Sequence, residues 1–505
     1  MGERDQRGDP GSSPGQALAG GAKSARSQSP RSTEAVEAAR GPGSKTGSRE
    51  GRAGRWVCND REQPMKAATV PKGAIRGAEA HEIPGVEAAI WTERMVSALV
   101  NGVEGGQWYS LMDKVYAPKT LGLAWERVRT NRGAAGVEGQ SVERFAAQAD
   151  RYLAELSRDL REGTYRPEAV KRVDLPQGDG KTRPLGIPTV KDRIVQTAVK
   201  LVIEPIFEVQ FLASSYGFRP GRGCKDALRG ERSEGWDRCM KEGYTHVVDA
   251  DWQGYFDSIP HGSLMARVEA SVSDGRVLDL IRGWLEQDIL RGTERWTPTG
   301  GTPQGAVISP LLANLYLHPL DARMMAQGYR MVRYADDFVI LCRSRAEADA
   351  ALAEIRAWVE ANGLRLHPDQ THVGDCREAG QGFEFLGYRF EAGKRWVRKK
   401  SLDRFKARVR EQTRRTRGDS LTRIIADLNP MLCGWFGYFK HAHEYTFQPV
   451  DGLIRRRLRA LLRKQEKRPG FGRCYADHQR WPNAFFAAAG LFALYPAWQQ
   501  ERDSR

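Results

Sequence analysis

The chain has 505 residues, of which 40% are hydrophobic, and a formal net charge of +16. This composition suits a large core divided among about three domains, and the charge indicates a polyanionic partner, nucleic acid first. No apolar run approaches the ~20 residues of a membrane span, no signal peptide opens the chain, and the seven cysteines form no CxxC pair. These features argue against a membrane protein or a disulfide framework and favour a reducing, cytoplasmic setting.

The first 85 residues predict a disordered basic leader, because they are rich in Gly, Ser, Arg, Pro and Ala and cannot bury enough apolar surface to fold. Helical periodicity begins near Glu93 and runs in pieces to about Leu160. Short strands, Gly-Pro turns and helices then alternate until about residue 390. From about residue 395 onward the pattern is helical and strongly basic.

A short apolar run, His246-Val247-Val248, predicts a buried strand that leads into Asp249 and Asp251. Further along, Gly301-Thr302-Pro303-Gln304-Gly305 precedes an apolar helix. Glycines on both sides of Pro-Gln let the backbone approach a ligand closely. The Gln304 amide can both donate and accept hydrogen bonds, so this loop is a candidate ligand contact.

The most informative stretch is Tyr334-Ala335-Asp336-Asp337-Phe338, which stands between the apolar runs Met331-Val332 and Val339-Ile340-Leu341. Adjacent carboxylates resist burial, so this pattern predicts a β-hairpin with the acids at its turn. If the strand before Asp251 neighbours the hairpin, three carboxylates meet and raise one another's pKa. Two divalent cations would reverse that penalty, and two metals about 4 Å apart support in-line phosphoryl transfer.

The segment after the hairpin predicts a helix and then a strand. Ser344 followed by Glu347 is a capping-box pattern, and Gly363 is placed to end the helix. One apolar helix face is formed by Ala348, Leu352, Ile355 and Val359. Leu364 and Leu366 then alternate as a strand. This order of elements predicts an α+β layer with helices on one face of an antiparallel sheet.

Two dense runs of cations mark the last quarter of the chain. Leucines interleave with the second run, which predicts a helix with an apolar stripe and a cationic remainder. Such helices suit an RNA backbone. The residues predicted to contact RNA are Lys399, Lys400, Arg455, Arg456, Arg457 and Arg459. The spacing of His441, His443, Cys474 and His478 matches no strong zinc pattern.

The ordered motifs around Asp251, Gln304 and Asp336 resemble the palm motifs of reverse transcriptases. From about residue 90 onward the chain resembles group II intron-encoded reverse transcriptases with a maturase domain. Fingers, primer-grip and maturase motifs of that family are similar to Asn131–Val137, Tyr165–Pro167, Lys181–Pro188, Ser215–Gly221, Phe385–Tyr388, Leu428–Pro430, Gly434–Phe439, Trp481–Asn483 and Gly490–Phe492. The terminal HNH endonuclease domain of many relatives is expected to be absent.

The resemblance implies an α+β fold: a right-hand polymerase whose fingers and palm carry a ferredoxin-like antiparallel sheet, followed by an α-helical thumb and maturase domain. The expected organisation is a disordered leader over 1–85, an N-terminal extension and fingers over 86–240, a palm over 241–392, and a thumb and maturase domain over 393–505. The implied partners are a group II intron RNA, an RNA template with a DNA primer, deoxynucleoside triphosphates and target DNA.

The resemblance also implies roles for individual residues. The catalytic residues would be Asp251, Asp336 and Asp337, which would hold two Mg²⁺ ions. The nucleotide-binding residues would be Lys181, Arg183, Phe256 and Gln304. Arg183 would bind the triphosphate through its planar fork, while Phe256 would exclude a ribose 2′-hydroxyl and Gln304 would contact the nucleotide and template.

Two positions depart from the family pattern, because Gln177 and Gln370 stand where many relatives carry Lys. Losing one charge-assisted hydrogen bond costs about 1.5–3 kcal/mol of binding. The leading prediction is an RNA-directed DNA polymerase that is also an intron maturase. The alternative is an RNA-binding splicing cofactor whose polymerase is weak or silent. A third possibility is a retron-type enzyme, against which the maturase-like C-terminal region argues.

Overall fold

The computed structural model describes residues 83–178, 181–229 and 239–504. Residues 1–82 of the predicted leader lie outside this part of the chain. The helices are α1 Glu93–Asn101, α2 Met112–Val115, α3 Pro118–Asn131, α4 Val142–Ala146, α5 Ala149–Glu162, α6 Val190–Glu208, α7 Cys224–Arg229, α8 Tyr255–Ser258, α9 His261–Glu269, α10 Gly275–Leu285, α11 Ser309–Ala326, α12 Arg345–Ala361, α13 Lys399–Gln412, α14 Leu421–Phe439, α15 Phe447–Gln465, α16 Tyr475–Arg480, α17 Asn483–Ala488 and α18 Leu494–Asp503.

The strands are β1 Val170–Gly178, β2 Lys181–Ile187, β3 His246–Ala250, β4 Ile289–Arg291, β5 Glu294–Trp296, β6 Arg330–Tyr334, β7 Asp337–Cys342, β8 His372–Asp375, β9 Phe383–Phe385, β10 Tyr388–Glu391 and β11 Lys394–Val397. They form three sheets, in the orders β2-β1-β4-β5, β6-β7-β3-β8 and β11-β10-β9. Among the described residues, no helix combines the length and the apolar character that crossing a membrane requires.

The N-terminal helices surround α6, which is buried along nearly its whole length. Its buried side chains include Asp192, Arg193 and Gln196 as well as apolar residues, and α3 packs along it. The Thr189 side chain caps α6 by accepting a hydrogen bond from the Asp192 N–H at 3.1 Å. The helical region expected between Glu93 and Leu160 is confirmed.

The second sheet is antiparallel throughout and lies between two hydrophobic cores. Along β7, Phe338 and Ile340 belong to one core, whereas Val339 and Leu341 belong to the other. A strand covered on both faces reads as a continuous apolar run rather than an alternating one, which explains the sequence of β7. The predicted hairpin of β6 and β7 and the predicted strand β3 are confirmed, and β3 pairs directly with β7.

Helix α12 covers the first of these faces, as the sequence predicted. Its N-cap Ser344 accepts a hydrogen bond from the Glu347 N–H at 3.1 Å, its predicted apolar face is buried, and Gly363 follows with φ 69°. The prediction of a strand at Leu364 and Leu366 is wrong. Leu366 makes one isolated bridge to Trp252, and the next strand begins at His372.

The C-terminal part is a small antiparallel sheet followed by helices α13 to α18. An aromatic core joins them, in which Phe405 and Trp435 stack with ring centroids 4.2 Å apart. Two tyrosines fix α14 to the β9–β10 turn: Tyr438 Oη donates to Leu386 O at 2.8 Å, and Tyr388 Oη donates to Tyr438 O at 2.6 Å. The expected helical, basic C-terminal region is confirmed.

Candidate active site

The two adjacent carboxylates lie at a tight hairpin turn. Tyr334 pairs with Asp337, so Ala335 and Asp336 form the connection between β6 and β7. Ala335 has φ 60°, a left-handed conformation that costs a non-glycine residue on the order of 1–3 kcal/mol. Surrounding contacts therefore have to hold this turn in place. One of them is Trp252, whose Nε1–H donates to the Asp336 carbonyl at 2.7 Å.

The structure brings Asp251 to this turn. Ala250 at the end of β3 pairs with Phe338 on β7, so the next residue, Asp251, emerges beside the hairpin tip. Its carboxylate accepts a hydrogen bond from the Trp252 N–H at 2.8 Å. Its carbonyl accepts one from the His367 N–H at 2.8 Å. The backbone of Asp251 is thus held by His367, and the charge of its carboxylate acts on both Asp336 and Asp337.

The carboxylates of Asp251, Asp336 and Asp337 repel one another in the resulting cleft. Burial raises the pKa of Asp336, and the charge of Asp251 adds to the rise while Arg183 opposes it. Asp337 keeps a solvent-accessible edge, but the protein around it raises its pKa to about 6, and the charges of Asp336 and Asp251 add to that rise. A divalent cation would relieve this repulsion. The donors are hard carboxylate oxygens, the type that Mg²⁺ prefers.

The three carboxylates do not enclose an ion by themselves. Within 83–178, 181–229 and 239–504, no three His, Cys, Asp or Glu side chains are close enough to ligate one metal. Mg²⁺ is usually held by one or two carboxylates, with waters and substrate phosphates completing its octahedron. An open, partly built site of this kind fits a metal that arrives with a nucleotide.

Two further acidic residues, Asp249 and Glu384, border the cleft and were missed as site residues. Burial raises the pKa of Asp249 to about 7, and the charges of Asp337 and Asp251 add to the rise. Glu384 is ion-paired with Arg398 at 2.5 Å, and Arg398 in turn lowers the pKa of Asp337. The period of two along a strand places Asp249 on the same side as Asp251, so that signal was present in the sequence. No comparable signal in the sequence indicates that Glu384, on the distant strand β9, approaches Asp249.

Arg183 and Gln304 lie together, and the charge of Arg183 acts on Asp336 at the hairpin turn. Arg183 Nε donates to Gln304 Oε1 at 3.1 Å, and Gln304 Nε2 donates to Asp257 Oδ2 at 3.4 Å. Arg183 is exposed, so its remaining N–H groups can reach a ligand. The side chains of Lys181 and Gln177 lie outside the described part of the structure.

Phe256 lies at the start of α8, five residues after Asp251, and is 8% exposed. Its ring meets Phe218 edge-on at 6.2 Å and Tyr255 at 5.5 Å. Its carbonyl accepts a hydrogen bond from the Thr302 N–H at 2.6 Å, which ties it to the Gln304 loop. Phe256 is therefore fixed in place by its ring contacts and by this backbone hydrogen bond.

Gln370 lies in the exposed loop behind Asp251. Its N–H donates to the His367 carbonyl at 3.4 Å, and the neighbouring Thr371 hydroxyl donates to the Asp251 carbonyl at 3.5 Å. The residues from Leu364 to Thr371 support Asp251 through such contacts instead of extending a sheet. Pro368 also lacks an N–H for strand pairing, which explains why the strand predicted there does not form.

The six predicted RNA contacts divide by exposure. Lys399, Lys400 and Arg456 are exposed, and Arg455 is partly so. Arg457 is largely engaged, because its guanidinium donates to the carbonyls of Thr413 at 2.7 Å and Arg410 at 2.9 Å.

Arg459 corrects the prediction. It is 2% exposed, and it donates to the Trp481 carbonyl at 2.9 Å and to Asn483 Oδ1 at 3.0 Å. Its charge is satisfied inside the domain and does not reach an RNA backbone. A cation in a basic run reads as surface-exposed in the sequence, and only the packing of the following segment reveals otherwise.

Comparison with known proteins places these features in a family. Residues 175–390 match the family described as Reverse transcriptase (RNA-dependent DNA polymerase), and residues 402–481 match Group II intron, maturase-specific domain. YkfC of Escherichia coli (strain K12) is 31% identical over 321 residues, which cover 55% of this chain and 82% of YkfC. The chain belongs to the family of group II intron reverse transcriptases and maturases.

Other similarities agree with this family. Group II intron-encoded protein LtrA of Lactococcus lactis subsp. cremoris is 35% identical over 207 residues, which cover 40% of this chain and 33% of LtrA. The chain thus matches about a third of the length of LtrA. A solved structure, the Partial Cas6-RT-Cas1--Cas2 complex, is 23% identical, covers 50% of this chain and 41% of its own, and has a TM-score of 0.32, too low to carry a structural argument.

The prediction of a reverse transcriptase with a maturase-specific domain is confirmed. The cleft lies in the segment that matches the reverse transcriptase family. The exposed cation Lys400 lies just before the segment that matches the maturase domain, and the exposed cation Arg456 lies within it. The ranges of the four expected domains and the absence of an HNH domain stay predictions.

Proposed function

We propose that this reverse transcriptase copies intron RNA into DNA at the cleft formed by Asp251, Asp336 and Asp337, and that its maturase domain binds the intron RNA to promote splicing and mobility. The observation that carries the proposal is the meeting of these carboxylates beside β3 and β7. In this layout the β6-β7-β3-β8 sheet is the palm, the β2-β1-β4-β5 sheet belongs to the fingers, and the helices from α13 onward form the thumb and maturase region.

The reaction forms a bond between the 3′-oxygen of a DNA primer and the α-phosphorus of a deoxynucleoside triphosphate, and it breaks the bond to pyrophosphate. Asp251 and Asp336, with Asp337, would hold two Mg²⁺ ions in the cleft. When bound, these ions favour the deprotonated 3′-hydroxyl and neutralise the charge that develops on the leaving pyrophosphate. The carboxylates would position the positive charge of the ions in a partly buried site, where electrostatic interactions are stronger than in bulk water.

The nucleotide would be oriented by groups on the opposite wall. The Arg183 guanidinium faces the same cleft as Asp336 and can bind phosphate oxygens bidentately. The fixed ring of Phe256 leaves little room beneath the sugar, which favours deoxyribose. Gln304, already bonded to Arg183, would keep that arginine aimed at the triphosphate. Lys181 completes the proposed nucleotide-binding set.

RNA would be held by cations of the C-terminal helices. Lys399, Lys400, Arg455 and Arg456 are the residues with accessible charge in our proposal, while Arg457 and Arg459 support the fold around them. Phosphate contacts of this kind fix orientation and are sensitive to salt. Phosphate contacts do not read a nucleotide sequence. We therefore propose group II intron RNA as a class, and DNA at its insertion target, without naming a particular RNA or DNA sequence.

Primer extension on an RNA template tests the proposal. With Mg²⁺ and deoxynucleotides, the wild-type chain should extend a DNA primer, and Asp336→Asn, which keeps the side-chain shape, should abolish extension. Asp349→Asn serves as the control, because Asp349 is an exposed acid on α12 that pairs with Arg345. Full extension by Asp336→Asn would refute the assigned site. No extension by the wild type, together with stimulated intron splicing, would instead identify a splicing cofactor.

A further inference from the structure

A buried polar network lies directly beneath the Ala335-Asp336 turn and is not part of the proposed chemistry. Its centre is Arg333, on β6 two residues before the turn, with a side chain that is 0% exposed. Nη1 of Arg333 donates to the carbonyl oxygen of Ala335 at 2.8 Å. A buried charge therefore contacts the backbone of the residue that stands in the left-handed conformation.

Helix α11 holds this arginine from the other side. The Asp321 carboxylate, 1% exposed, accepts from Arg333 Nε at 2.8 Å and from Nη2 at 2.5 Å. Asn314 Oδ1, on the same helix, accepts from Nη1 at 2.8 Å. All three nitrogens of the guanidinium donate to the protein, which is the condition for burying such a charge without leaving polar groups unpaired.

Asn314 extends the network to a second segment of backbone. Its Nδ2 donates to the Gly217 carbonyl at 2.7 Å, and Gly217 lies flat against the turn: a Cβ added there would be 2.8 Å from Ala335 Cα. The flanking backbone also pairs, since the Tyr216 N–H donates to the Arg333 carbonyl at 2.8 Å. The turn is thus held between the Gly217 backbone on one side and the Arg333 guanidinium on the other.

We propose that Arg333 and Asn314, anchored by Asp321, are positioning residues that set the backbone of the Ala335-Asp336 turn and thereby place the Asp336 and Asp337 carboxylates for metal binding. The inference rests on the proposed function of those carboxylates. An Ala-Asp pair has little intrinsic preference for a turn that begins with positive φ, so the surroundings must impose it. Arginine suits this task because one rigid fork serves three acceptors at once.

The test compares two Arg→Lys variants. Arg333→Lys keeps the charge, but a single ammonium cannot reach Asp321, Asn314 and the Ala335 carbonyl together. Arg459→Lys is the matched control, because Arg459 is also buried and donates to the Trp481 carbonyl and to Asn483 Oδ1, away from the turn. Both variants should lower the melting temperature. Only Arg333→Lys should weaken the binding of Mn²⁺, followed by the electron paramagnetic resonance of the free ion, by about tenfold or more.

Primer extension gives a second readout. In Arg333→Lys the Mg²⁺ concentration that half-activates extension should rise by a similar factor, while the deoxynucleotide KM at saturating Mg²⁺ changes less. Asn314→Ser, which cannot bridge Arg333 and Gly217, should act in the same direction and replaces Arg333→Lys if that variant does not fold. Wild-type Mn²⁺ affinity in the folded variant would overturn the inference. Full extension by Asp336→Asn would instead refute the proposed function, and the Mn²⁺ measurement still decides the role of Arg333.

Discussion

Tyr165→Phe is expected to destabilise the protein by an amount that depends on pH. The Tyr165 hydroxyl donates to Asp192 Oδ1 at 2.5 Å, and Asp192 also accepts from the Glu168 N–H at 3.2 Å. This bond joins the segment before β1 to the start of the buried helix α6. Burial raises the pKa of Asp192 to about 6, and the hydrogen bond from Tyr165 opposes that rise.

The magnitude follows from the protonation state of Asp192. At pH 8 the carboxylate is charged, so losing its hydroxyl donor costs about 1.5–3 kcal/mol, whereas at pH 5 it is mostly protonated and a neutral bond contributes about 0.5–1.5 kcal/mol. The sign agrees with linkage. Because the folded pKa lies above the unfolded value near 3.8, native Asp192 binds more protons, and stability falls as pH rises from about 4 through 6. Losing the Tyr165 hydroxyl raises the pKa of Asp192 further, so the variant's loss of unfolding free energy grows toward pH 8.

Urea unfolding of the two proteins at pH 5 and pH 8 measures this difference. Tyr152→Phe is the control, because Tyr152 is partly buried and makes contacts through its ring, which Phe retains: Phe145 packs against it and Lys191 lies over it. That variant should lose little stability at either pH. An equal loss at both pH values for Tyr165→Phe, or no loss at all, would refute the assignment of a charged, hydroxyl-dependent Asp192.

Four further outcomes concern the candidate active site, the RNA surface and the C-terminal fold. Phe256→Val should admit ribonucleotides while deoxynucleotide incorporation continues; unchanged sugar discrimination would remove the gate role of Phe256. Gln370→Lys should speed single-nucleotide addition in a rapid-quench assay, because it adds a cation in the loop behind Asp251, and a slower variant would show that the Gln is not a deficit. Replacing Arg455 and Arg456 by Gln should lower the slope of log K against log salt, measured by filter binding, by about 0.7 for each phosphate of single-stranded RNA that is no longer neutralised. The double replacement of the engaged Arg457 and Arg459 by Gln should instead lower the melting temperature.

Much of the site was predictable because local and long-range signals agree there. The hairpin around Asp336, the strand before Asp251 and the helix after Ser344 each follow from apolar periodicity and turn chemistry, and the structure contains all three. Their mutual placement follows once β3 pairs with β7. Even the fourth acid, Asp249, is implied by the alternation of side chains along β3.

What could not be predicted depends on contacts between distant segments. Arg333 reads as an ordinary cation beside a motif, and nothing in the local sequence says that Asp321 and Asn314 will meet it inside the core. Arg459 reads as part of a basic surface until the Trp481 carbonyl is packed against it. Leu364 and Leu366 alternate like a strand, but the chain there is used to support Asp251. The local sequence pattern predicts helices and strands, whereas the role of each side chain depends on what packs against it in the folded protein.

The double coverage of β7 has a consequence for any attempt to divide this protein. Val339 and Leu341 belong to the same hydrophobic core as Phe405 and Trp435, so the strand that carries Asp337 and the helices that match the maturase family share one core. A fragment ending near residue 398 would lose the helical part of that core and would leave the Leu386 carbonyl without the Tyr438 hydroxyl. We therefore expect an isolated fragment of residues 83–398 to aggregate instead of folding into a stable sheet.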